Sequence, residues 1–98
     1  MGKELLIGSW TIDPSDTKSI ELYGNIKMEF TSDGMLIYRI VTNNRLQQIN
    51  MIYETSGNIL ITDQPSHPSK EESIYEVLPD GRLKLVQDRQ ESFYIKEL

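Results

Sequence analysis

Apolar and polar residues alternate in three separate stretches of this chain, each folded about a glycine: Ile26–Ile40 (IKMEFTSDGMLIYRI), Ile49–Thr62 (INMIYETSGNILIT) and Ser73–Val86 (SIYEVLPDGRLKLV). A period of two sends successive side chains to opposite faces of a strand, so each stretch reads as strand, tight turn, strand. Gly34, Gly57 and Gly81 recur at an interval of roughly two dozen residues, the spacing of consecutive hairpins in a meander. A three-residue loop of Ser32, Asp33 and Gly34 pairs Phe30 with Leu36. It gathers Ile26, Met28 and Phe30 on one face with Leu36, Tyr38 and Ile40, whereas a two-residue loop would set Arg39 among them. The same rule applied to Thr55, Ser56 and Gly57 aligns Ile49, Met51 and Tyr53 with Ile59 and Ile61. Applied to Pro79, Asp80 and Gly81, it aligns Tyr75 and Val77 with Leu83 and Leu85.

The flanks add one strand each. Leu5–Ile12 (LLIGSWTI) places Leu6, Gly8, Trp10 and Ile12 on one face, and Gly8 leaves room for the indole of Trp10 against the neighbouring backbone. Ser92–Leu98 (SFYIKEL) is the last strand, with Phe93 and Ile95 inward. Between the first strand and the first hairpin, Asp13–Gly24 loses the alternation. Asp13, Pro14 and Asp16 suit a helix start and Gly24 a stop, and a short helix and an ordered loop both fit the segment. Thr42–Gln48 and Thr62–Ser73 are polar connectors. The expected fold is all-β: an eight-stranded antiparallel up-and-down meander barrel forming a single domain over residues 1–98. Closing first strand on last removes the edges that would otherwise template aggregation.

Composition narrows the function. The chain has 98 residues, no cysteine and a net charge of −5, which excludes disulfides, thiolate metal sites and cysteine nucleophiles. Its Lys and Arg residues are scattered among carboxylates rather than clustered, so nucleic acid is not an expected partner. The apolar run in MGKELLIGSW is too short for a secretory core or a membrane span, and Leu6 stands where a myristoylation signal needs Ser or Thr. The expected compartment is the cytoplasm if the chain is complete, and extracytoplasmic if its N-terminus has been trimmed.

Catalysis finds little to work with. The lone His67, in Ser-His-Pro-Ser, reads as a surface residue of the long connector, and neither Asp13/Asp16 nor Glu71/Glu72 forms a known metal-binding pattern. No enzyme activity, metal or cofactor is expected. The predicted interior instead collects Trp10, Met28, Tyr38, Met51, Tyr53 and Tyr75, a Met- and aromatic-rich wall suited to a small apolar or amphipathic ligand, with Trp10 as its floor. The plain alternative is that these side chains simply fill a narrow barrel. In the same register Ile37, Ile52 and Leu60 point outward on neighbouring strands, a surface for a homodimer or another protein partner.

Gly8-Ser9-Trp10 on the first strand, followed by an irregular segment and a hairpin reading Phe30-Thr31-Ser32-Asp33-Gly34, resembles the small bacterial lipocalin-like domains of the calycin group. The resemblance spans Leu6 to Ile95 and implies a barrel that binds ligands in its interior. The chain departs from that group in being short, in lacking a Thr-Asp-Tyr motif, and in carrying Tyr94-Ile95-Lys96 where an Arg-x-Tyr pair would stand. Two functions therefore follow from the sequence: a binding domain with a ligand in the barrel, or an interaction module whose barrel is solid.

Overall fold

The alternating stretches pair as hairpins, and the sheet they build closes on itself. The computed structural model describes residues 5–42, 44–66 and 68–97; His67 and the Met1-Gly2 start lie outside them. Eight antiparallel strands run in chain order around a closed barrel. They are β1 (Gly8–Ile12), β2 (Asn25–Phe30), β3 (Met35–Thr42), β4 (Arg45–Ser56), β5 (Ile59–Asp63), β6 (Glu71–Val77), β7 (Leu83–Gln87) and β8 (Gln90–Lys96). Helix α1 (Thr17–Tyr23) joins β1 to β2, capped by the Asp16 carboxylate at its start and stopped at Gly24. No helix among the described residues is long and apolar enough to cross a membrane.

Two hairpins take the expected register. Phe30 pairs with Leu36, Met28 with Tyr38 and Ile26 with Ile40, and Gly34 sits at φ 93° where the loop needs a left-handed residue. Val77 pairs with Leu83 and Tyr75 with Leu85.

The middle hairpin differs. Ser56 pairs with Ile59 and Thr55 with Leu60, so the turn holds only Gly57 and Asn58. Gly57, at φ 60°, occupies the first central position of a two-residue turn, which matches the twist of the flanking strands better than the longer loop. The resulting three-residue shift, which sets Tyr53 opposite Thr62 rather than Ile59, is odd and so reverses every side chain of β5. Leu60 and Thr62 face inward beside Tyr53, while Ile59 and Ile61 face out.

A second register was hidden for lack of a glycine. Asp88 and Arg89, at φ 51° and 66°, make a tight turn that pairs Leu85 with Ser92 and Leu83 with Tyr94. Ser92 and Tyr94 are therefore the inward residues of β8. Phe93 and Ile95, expected inward, lie on the outer side, with Ile95 42% exposed. The polar connector expected at Thr42–Gln48 is mostly strand, because β3 and β4 remain paired as far as Thr42 and Arg45. Arg45, Leu46, Gln47 and Gln48 are all exposed, so no alternation marks them as strand.

Closure rests on a short seam. β1 and β8 share the pairs Trp10–Lys96, Thr11–Ile95 and Ile12–Tyr94. Beyond them the Asp13 amide donates to the Phe93 carbonyl (2.8 Å), and the Phe93 amide donates to the Asp16 carboxylate (3.1 Å). On the outer side the Arg82 guanidinium covers the Phe93 ring at 5.2 Å and reaches the Asp13 carboxylate at 3.3 Å. Hydrogen bonds from the Ser15 amide and hydroxyl, supplemented by Arg82, hold the Asp13 carboxyl below the usual carboxylate range.

The two ends of the barrel are built differently. One end collects the turns at Ser32–Gly34, Gly57–Asn58 and Pro79–Gly81 and is sealed by Leu6, Trp10, Phe30, Tyr53, Tyr75 and Leu83, all buried. Leu5 and Leu6 are helical rather than extended, and the Leu6 carbonyl accepts the Trp10 indole N–H at 2.8 Å. The space beside Gly8 is taken by a side chain rather than by backbone. A Cβ there would meet Lys96 Cε at 2.9 Å, and Lys96 Nζ lies 5.4 Å from the centre of the Trp10 ring. The other end, flanked by α1, the 64–70 loop and the Asp88–Arg89 turn, is open.

Candidate functional site

The interior changes character toward that open end. Phe30 and Tyr53 meet edge to face at 5.0 Å in the sealed half, where large aromatic and aliphatic side chains are buried together. Farther along, β5 and β6 contribute Thr62, Ser73 and Glu71 to the inner face, because Leu60 pairs with Ser73 and Thr62 with Glu71. These are smaller or polar side chains, and a cavity of about 340 Å³ opens among them. Sites for small molecules run from roughly 300 to 1,000 Å³. At the ~30 Å³ that a water occupies in the liquid, this one holds about ten non-hydrogen atoms.

The cavity is apolar below and polar at its mouth. Met28, Leu36, Met51, Leu60 and Leu85 make the lower wall; Thr62, Gln64, Ser69, Glu71, Ser73 and Gln87 make the rim. A smaller recess of about 70 Å³ continues it toward α1, bounded by Tyr23, Gln90, Ser92 and Tyr94 and sharing Tyr38 and Gln87 with the main space. Burial pushes the Tyr38 and Tyr94 phenols above their ordinary range, since a phenolate would lose its hydration there. Both act as neutral hydrogen-bonding groups at neutral pH, and they interact with each other. Glu71 accepts a hydrogen bond from the Gln87 amide, which fixes the carboxylate at the rim. Among the described residues no three His, Asp or Glu side chains converge as metal ligands.

The structure divides the residues that the sequence singled out. Met28, Tyr38 and Met51 line the cavity. Trp10, Tyr53 and Tyr75 belong to the sealed core, where each polar atom is spent on backbone: Trp10 on Leu6, the Tyr53 hydroxyl on the Thr31 carbonyl (2.8 Å) and the Tyr75 hydroxyl on the Gly57 carbonyl (3.1 Å). Their part is to close one end. The outer trio does not form a surface either. Leu60 is 2% exposed and lies in the cavity wall, whereas Ile52 is 46% exposed and Ile37 partly covered on the outside.

The polar rim went unread in the sequence. Glu71, Ser73, Gln87 and Ser92 carry no hydropathy signal for the inner face, and Leu60 and Thr62 were displaced by the slipped register. The Gly57-Asn58 dipeptide, a recognised two-residue turn signal, was the one cue that could have restored them. No family model, no curated protein and no solved structure matches this chain.

Proposed function

We propose that this chain is a non-enzymatic binding domain that takes a small amphipathic molecule into the open end of its barrel. The observation that carries the reading is the cavity of about 340 Å³, apolar in its depth and hydrogen-bonding at its mouth, in a barrel whose other end is tightly sealed. Such a gradient suits a ligand with an apolar body and a polar head. The groups at the rim are hydroxyls, amides, protonated phenols and a carboxylate, which orient a ligand by hydrogen bonding. The Gly8-Ser9-Trp10 first strand and the closed eight-stranded meander support placing the barrel among divergent calycin-like folds. A ligand held inside the barrel agrees with that placement.

The test is a titration with 1-naphthylamine, a small dye, uncharged at pH 7, whose size matches the cavity and whose emission changes in apolar surroundings. Saturable one-to-one binding is expected for the wild-type protein, weakened at least tenfold in Met51→Trp, whose indole occupies the cavity. Absence of saturable binding, or equal binding by a folded Met51→Trp protein, overturns the reading.

A further inference from the structure

Binding proteins for amphipathic molecules commonly meet an anionic head with an interior Arg or Lys, and this cavity has neither. The one charged side chain among its lining residues is Glu71. The nearby basic residues do not enter it: Lys70, next to Glu71 in sequence, lies with the outward-facing Ile61 and Asp63, Arg39 is paired with Glu29 on the outer side at 3.4 Å, and Lys84 with Glu91 at 3.1 Å. Glu71 itself forms no ion pair among the described residues; its partner is the neutral Gln87 amide.

We propose that the cavity selects a compact organic amine, its ammonium group on Glu71 at the rim and its apolar body against Met28, Met51 and Leu60, and rejects carboxylates and sulfonates of the same size. This deepens the binding reading above and rests on it. Physically, Glu71 is exposed at the rim with no cation paired to it among the described residues, so an anionic head placed there meets like charge while its apolar body occupies the cavity, a repulsion that solvent at the rim reduces but does not remove. An ammonium in the same place neutralises that charge. It also finds the oxygens of Ser73 and Thr62 as further acceptors, and the ring of Tyr38, close enough to Glu71 to feel its charge, as a cation-stabilising face. Those phenols stay neutral, so they add no competing charge.

The decisive experiment compares three molecules of nearly equal size by calorimetry or by displacement of the naphthylamine dye: phenethylamine, 2-phenylethanol and 3-phenylpropionate. Two variants accompany the wild type. Glu71→Gln removes the rim charge from an exposed strand start, and Glu72→Gln removes the same charge from the next residue, which faces outward opposite Ile61. The wild-type protein should bind the amine at least tenfold more tightly than the alcohol and the carboxylate least of all. In Glu71→Gln the amine should fall to the level of the alcohol while the alcohol is unchanged; Glu72→Gln should behave as wild type. If alcohol and amine bind equally to the wild type, or the preference survives Glu71→Gln, the proposal is overturned and cavity binding stands. If the dye binds and none of the three does, the proposal is likewise overturned and cavity binding stands; if the dye also fails, both fall.

Discussion

Asp16 holds together two parts of the barrel that are 77 residues apart in sequence, and removing its carboxylate should show how much of the closure depends on it. One oxygen accepts from the Ser19 amide at 3.3 Å and caps α1; the other accepts from the Phe93 amide at 3.1 Å on β8. The strand partner that Phe93 would otherwise use, the Asp13 carbonyl, is taken by the Asp16 amide, so the carboxylate replaces a ladder bond at the seam. Losing a cap costs about 1 kcal/mol. A hydrogen bond to a charged acceptor contributes about 1.5–3 kcal/mol, and Asp16 is half-buried, which favours the lower part of that range. Asp16→Ala should therefore destabilise by about 2–3 kcal/mol, or roughly 10–20 °C in Tm for a domain of this size. Asp16→Asn keeps one acceptor oxygen but presents an NH2 to one of the two amides, so about half that loss is expected. Thermal unfolding by circular dichroism gives the magnitude. Amide exchange at Phe93 localises it, and should accelerate in both variants relative to the central amides of β3 and β4. A fall of less than about 3 °C in Asp16→Ala, with Phe93 exchange unchanged, would refute the assignment.

Tyr53→Phe should cost about 1 kcal/mol in urea unfolding by removing the shorter of the two hydrogen bonds that the Thr31 carbonyl accepts, the Gly34 amide remaining as the other donor, and should leave dye affinity as in wild type; altered affinity would mean that the sealed half communicates with the cavity. Arg89→Gly should raise stability by about 0.5–1 kcal/mol, because Arg89 occupies φ 66° in a turn where glycine pays no Cβ penalty; unchanged or lower stability counts against strain at that position. Alkaline pH should weaken the fold through Tyr38 and Tyr94. Burial raises both phenols, so above the ordinary phenol value of about 10 the unfolded chain releases protons that the folded chain keeps, and stability falls as pH rises. Urea midpoints measured from pH 8 to 11 should decline more steeply for the wild type than for Tyr38→Phe, and parallel curves would contradict the burial of that phenol.

At Gly34 and Gly81, where the turn glycine is flanked by apolar residues that alternate in one acceptable register, local chemistry was enough to place every partner. Phe30 opposite Leu36 and Tyr75 opposite Leu85 follow from keeping Arg39 out of the core and from leaving glycine where φ must be positive. The eight-strand count is legible for the same reason, since periodicity acts over a few residues; between Asp16 and Gly24 the end signals suited a helix and an ordered loop alike, and the structure decides for the helix. The inward position of Met28, Tyr38 and Met51, which line the cavity, is legible too.

Tertiary structure decided what no short-range signal could. The alternation around Gly57 is satisfied by either loop length, because Ile59 and Ile61 are as apolar as Leu60. Only the closed wall, in which Leu60 must lie beside Tyr53 and opposite Ser73, selects the two-residue turn. The same closure turns Tyr94 inward opposite Ile12 and Leu83, and sends Phe93 out beneath Arg82. It also separates the aromatic residues into a sealed half and an open half, a distinction set by which strand ends converge rather than by residue type. The polar rim around Glu71 exists for that reason. A side chain that faces a cavity at the barrel mouth has no need to be apolar, so its place could be found only after the strands had been brought together around it.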